Sequence, residues 1–159
     1  MTIPESTRQR LRFLTRVVSK EAKHLTETNE RLFATAFTAE RAAALQHDPD
    51  LAERVDAFVS RFGRLQDTLG DKLLPTLLSA LGETPAPKID MLDRAERLGL
   101  IASSEQWMQL RRLRNQMIHE YVEDPKVLAD ALEAAHAAVA ALVGASQAMT
   151  DEIARRRWS

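Results

Sequence analysis

Leu11, Val18, Leu25 and Leu32 stand seven residues apart, and Leu14, Val17 and Ala22 fill the same side of that spacing. An apolar repeat of this period is the seam of a bundle or coiled coil. It commits the chain from about Glu5 to Ala34 to one long helix that must bury a stripe against other helices. The rest of the chain favours the same choice. Ala, Leu, Arg and Glu dominate, β-branched residues are sparse, and only 5 Gly and 6 Pro occur among 159 residues. That mixture favours helix. The length fits one domain covering 1–159, and a hydrophobic content of 45% suffices for one ordinary core. No strand alternation, internal repeat, low-complexity tract or Gly-rich phosphate loop interrupts the pattern. The expected fold is all-α, an antiparallel bundle of about five helices.

The other helices can be bounded from their ends. A short one is expected from Ala39 to Leu45, broken by His47-Asp48-Pro49-Asp50, with Asp50 capping the next helix. That next helix runs from about Leu51 to Leu81, holds Val55, Phe58, Val59, Phe62, Leu65 and Leu69 on one face, and should kink or break at Gly70 and Pro75. Gly82 to Pro87 is a linker too short to divide domains. Asp90 is expected to cap a helix closed by Gly99 as its C′ glycine. Ser103 and Gln106 form a capping box for the following helix. Asp124-Pro125 starts the last one, from about Lys126 to Ala148, whose Ala131, Ala135, Ala138, Ala141 and Ala145 permit close approach to a neighbour.

Charge and composition exclude several classes. There are no cysteines, so neither disulfides nor thiolate metal sites are available. Charged residues make up 28%, and no apolar run is expected to reach the roughly 18 residues of a spanning helix. Met1 to Ser6 shows no basic-then-apolar signal pattern, so the protein is expected in the cytoplasm, away from membranes. A net charge of −1 rules out a general nucleic-acid coat, so any RNA contact must be local. Basic residues cluster in places, at Arg94, Arg97, Arg111, Arg112 and Arg114 and again at Arg155, Arg156 and Arg157. Arg155, Arg156 and Arg157 read as a solvated face balanced by nearby acids. Arg111, Arg112 and Arg114 stand open between that reading and a functional one, because His119 follows.

Arg114-Asn115-Gln116-Met117-Ile118-His119-Glu120-Tyr121 carries the chemistry. Arginine holds a phosphate through several donors at once, and histidine moves a proton near neutral pH. Together they suffice for metal-free cleavage of a phosphodiester that carries its own 2′-hydroxyl, which makes RNA the first substrate to consider. On a helical wheel Trp107, Leu110, Leu113, Met117, Ile118 and Tyr121 share an apolar sector, and Arg114 falls inside it. A guanidinium there needs a partner charge or an interface. Asn115 and His119 neighbour each other on the flank, with Arg112 about two turns before His119 on that flank. Arg114 and His119 lie roughly 140° apart on a regular helix. They converge only if the helix unwinds at His119, or if two copies pair through Trp107, Leu110, Arg114 or Met117. The alternative is structural: Arg114 bonds a buried carboxylate and His119 ends a helix, where its charge suits the dipole. His24, His47 and His136 have no partner at metal-ligand spacing and read as structural or surface residues.

The longer pattern Leu113 to Tyr121 resembles the signature of HEPN-domain proteins, and within them the Arg-x4-His-x-Tyr motif of HepT-like toxins. Leu92, Leu98-Gly99-Leu100-Ile101, Asp124-Pro125, Val127 and Leu128 fit the same style. The match covers about Asp90 to Leu132, and residues 1–80 carry no motif that aligns. The resemblance implies a HEPN-like helical bundle that acts as a homodimer and cleaves RNA without a metal or other cofactor. Arg114 and His119 would be catalytic, Asn115 and Arg112 supporting. It further implies a nucleotidyltransferase antitoxin that transfers AMP to Tyr121, the only tyrosine in the chain. HEPN folds also serve as non-catalytic modules that bind a nucleotide or a nucleotidyltransferase, and a plain dimeric helical scaffold is a third reading.

Overall fold

The computed structural model describes residues 2–119 and 124–159, with the backbone alone at His119. Among the described residues there are helices and no strands. α1 covers Glu5–Leu32 and buries Leu11, Leu14, Val18, Leu25 and Leu32, the stripe that the seven-residue spacing requires. α2 covers Ala39–Ala43 and runs into a 3₁₀ turn, Ala44–Gln46. α3 covers Pro49–Asp67, a π-helical segment covers Thr68–Leu73, and α4 covers Leu74–Ala80. α5 is Lys88–Arg97, α6 Ser104–His119 and α7 Pro125–Arg155.

α1 packs against α3 and α7, and α6 packs against α3, α5 and α7. The pairings fix antiparallel directions. On α1 and α3, Arg61 reaches the carbonyl of His24 and the hydroxyl of Thr28, while Thr68 beyond α3 reaches Glu21. On α1 and α7, His136 meets Asn29 and Arg157 meets Arg8 at the opposite end. Phe58, Phe62, Leu65 and Leu69 are fully buried on the face assigned to them.

Several ends differ from expectation. Asp48, not Asp50, caps α3 by accepting from the Leu51 amide at 3.0 Å, which leaves Pro49 at the first helical position where its missing N–H costs nothing. Asp90 does not cap α5; Pro87 precedes its first residue, and Asp90 sits in the first turn, where its charge suits the dipole. The kink expected at Gly70 and Pro75 takes the form of the π segment, so the helical path continues instead of breaking. Gly99, at φ +75°, does close α5, with Leu100 donating back to Ala95. Ser103 accepts from the Gln106 amide, and Asp124 accepts from Lys126 and Val127, as the sequence indicated.

α7 overturns one expectation. It runs seven residues past Ala148, and an 18-residue window with mean hydropathy 1.5 gives it the length and composition of a membrane span. Its apolarity comes largely from alanine. In the bundle Ala131, Ala135 and Ala145 are buried together with Leu132, Leu142 and Met149, so one face of the helix packs against α1, α2 and α6, while 39% of the apolar window is buried.

Candidate functional site

α6 carries three of its apolar residues into the core. Trp107, Leu110 and Met117 are buried within the chain itself, so they are not free to meet a second copy as the sequence suggested. Ile118, expected in the same sector, is 49% exposed, and Leu113 is half-buried. The apolar stripe is therefore narrower than the wheel predicts, and Arg114 lies at its edge.

Arg114 meets a partner charge. Its Nη1 donates to Oδ1 of Asp67 at 2.5 Å, across the contact between α6 and the end of α3. The structural alternative is thus present in modified form. The carboxylate is not buried, since the Asp67 side chain is 41% exposed and the Arg114 side chain 33%. A pair this wet contributes only about 0–1 kcal/mol. Against that stands the buried Arg114 Nε, which has no hydrogen-bond partner. An unmet buried donor costs about 1–3 kcal/mol. The arrangement does little for stability.

It does shape a cleft. Between α3, the π segment and α6 lies a cavity of about 840 Å³. Val59, Met117 and Ile118 supply its apolar wall, Arg64, Lys72 and Arg114 its cations, and Asp56, Asp67 and Asp71 its anions. Its size and mixed lining suit a ligand of nucleotide dimensions. The surroundings add charge. Lys88 pairs with Asp71, and burial together with nearby Arg111 pulls its ammonium below the ordinary lysine range. Glu21 on α1 accepts a hydrogen bond from Thr68 at 2.8 Å, and burial pushes its carboxyl above the usual range.

Gly63 and Gly70 explain how α6 comes so close. A Cβ on Gly63 would stand 2.8 Å from Arg114 Nε, and one on Gly70 would stand 3.3 Å from Trp107 Nε1. The glycines are seven residues apart on one helical path, and Trp107 and Arg114 are seven apart on the opposing antiparallel helix. Large side chains on α6 therefore fill the two gaps left on α3 and the π segment. Gly70 was visible in the sequence only as a kink signal.

Of the other expected site residues, Arg112 and Asn115 are exposed and do not line the cleft. α6 is described as far as His119, whose side chain lies outside the described residues, as does Tyr121. His136 is structural: its Nδ1 lies 2.8 Å from Asn29 Oδ1, and its ring stacks on Phe33 at 4.3 Å. Gly63, Arg64, Asp67, Asp71 and Lys72 were not anticipated. The available signal was the pair of glycines in an otherwise strong helix, each costing up to about 1 kcal/mol relative to alanine. The chain matches no protein-family model, no curated protein and no solved structure.

Proposed function

We propose that the protein is a metal-independent endoribonuclease of the HEPN type, a cytoplasmic homodimeric toxin paired with a nucleotidyltransferase antitoxin. The observation that carries this reading is Arg114. The arginine that opens the Arg-x4-His-x-Tyr pattern is also the cation that α6 brings to the cleft between α3, the π segment and α6. Its ion pair contributes little to stability, so a role toward a ligand accounts for it better than packing does.

In the proposed reaction the ribose 2′-oxygen attacks phosphorus while His119 assists removal of its proton or protonation of the leaving 5′-oxygen. Arg114 stabilises charge on the phosphorane-like transition state. The products are a 2′,3′-cyclic phosphate and a 5′-hydroxyl. Arg112 and Asn115, on the exposed flank of α6, would meet RNA or the second copy rather than Arg114. The second copy would approach the exposed edge of α6 around Ile118. AMP on Tyr121, two residues after His119, would crowd and repel the RNA backbone.

One observation favours the second reading, a non-catalytic HEPN module that binds a nucleotide or a nucleotidyltransferase. The cleft carries as many acids as bases, and Asp67 already engages Arg114. Cleavage of RNA by purified protein in EDTA, with loss in His119→Ala, decides between them. Nucleotide binding without cleavage would select the module.

A further inference from the structure

We infer that Gly63 and Asp67 are positioning residues that seat the Arg114 guanidinium in the cleft and leave its Nη2 facing substrate. The inference rests on the ribonuclease reading for the reaction, and on α3 and α6 alone for the seat.

A guanidinium offers donors on Nε, Nη1 and Nη2. Asp67 takes Nη1. Nε is buried, unpartnered, and packed where a Cβ on residue 63 would collide with it. Nη2 makes no hydrogen bond to a described residue. A surface arginine with an unmet Nε would swing into water, where every donor is satisfied. This one is retained against α3 by the carboxylate on one side and the bare glycine surface beneath. The position of Gly63 does not need glycine for its backbone, since the positive-φ glycines are Gly82 and Gly99. Space is what it provides. Asp67 follows Gly63 by four residues, which puts both on one face of α3. It is also the last α-helical residue before the π segment, whose first residue, Thr68, is tied to Glu21 across the bundle. The acceptor and the gap are thus fixed on one rigid element, and the flexible arginine takes its position from them.

Gly63→Ala tests this with little risk to the fold, because alanine favours helix and the atom it displaces belongs to a flexible side chain. The protein with Gly63→Ala should melt within a few degrees of wild type yet lose about a hundredfold in kcat, the scale of a misplacement near 1 Å. KM should stay within about threefold, because the lost contact acts on the transition state. Asp67→Asn should behave alike, and Asp67→Glu should recover part of the loss by restoring the charge. In an Arg114→Ala background neither change should reduce cleavage further. Wild-type kcat in Gly63→Ala would overturn the proposal. The seat has a readout free of activity. The Arg114 Nε–H resonance should be protected from solvent exchange in wild type and lose protection in Gly63→Ala and Asp67→Asn. If wild type leaves RNA intact, the ribonuclease reading fails while this measurement still judges the seat. Free exchange of that proton in wild type would overturn it.

Discussion

Arg114 and the tail arginines look alike in the sequence and differ in what they face. Arg155 and Arg156 both pair with Glu152, within a single turn of the same helix, and Arg156 also lies 5.6 Å over the ring of Trp158. Their heads are solvated, and their partner is three or four residues away. Arg114 reaches an acid 47 residues distant, holds a buried nitrogen without a partner, and borders a cleft. The tail spends its charge on closing a helix. The cleft arginine occupies a position that stability alone does not reward. Clustering of basic residues therefore says little; the separation and wetness of the partner carry the information.

The widest separation between the two clusters should appear in activity. His119→Ala and Arg114→Ala should each reduce RNA cleavage by on the order of a hundredfold to ten-thousandfold. Arg155→Ala and Arg156→Ala should cleave like wild type. Quantifying 2′,3′-cyclic phosphate ends on a labelled RNA makes the measurement. Full activity in His119→Ala, or loss in the tail variants, would erase the distinction.

Regulation is expected on the same side of the comparison. Co-expression with a cognate nucleotidyltransferase should add AMP to Tyr121 and silence the protein, and Tyr121→Phe should escape silencing while keeping its ring. Intact-mass spectrometry reads the outcome. A neutralised protein with unmodified Tyr121 would point to inhibition by binding alone.

Stability should move the opposite way from activity at Arg114. Arg114→Met fills similar volume, removes the unmet Nε and leaves Asp67 free to meet water. Loss of a pair this exposed costs at most about 1 kcal/mol, and removal of an unmet buried donor relieves a penalty of about 1–3 kcal/mol. The variant should unfold at the same urea concentration as wild type or a higher one, gaining up to about 1 kcal/mol, and should be inactive. A loss above about 2 kcal/mol would mean that the pair is structural after all.

What could be read in advance follows the range of each interaction. The seam of α1, the glycine stop of α5 and the caps Ser103 and Asp124 depend on residues within a turn of one another, and the sequence displays them directly. The cap of α3 differs from the expected one by two residues, because Asp48 and Asp50 both flank Pro49 and either could accept. The cleft was hidden for a different reason. Asp67, Gly63 and Arg114 belong together only after α3 and α6 dock in one register, and nothing local in either helix specifies that register. The seven-residue spacing shared by the glycines and by Trp107 and Arg114 is its only trace. It becomes meaningful once the two helices are known to be antiparallel neighbours.

The smallest expected effect belongs to the tail, and its sign can be worked out. Hydrogen bonding from Arg156, reinforced by Arg155, holds the Glu152 carboxyl below the usual carboxylate range. A depressed acid contributes stability above its unfolded pKa and loses it as pH falls through the folded value. Arg155→Ala should thus cost only a few tenths of a kcal/mol at pH 7, the worth of an exposed pair. Arg156→Ala should cost somewhat more, because it also leaves the Trp158 ring, where a cation adds about 0.5–1 kcal/mol. Urea titrations at pH 7 should resolve both gaps. Below the carboxylate range the Arg155 gap should close, since a protonated Glu152 gives the guanidinium nothing to pair with. The Arg156 gap should shrink to its ring contribution and persist. A gap at Arg155 that survives acid would mean that its stem packs on the bundle, and the tail would then resemble the cleft more than its spacing suggests.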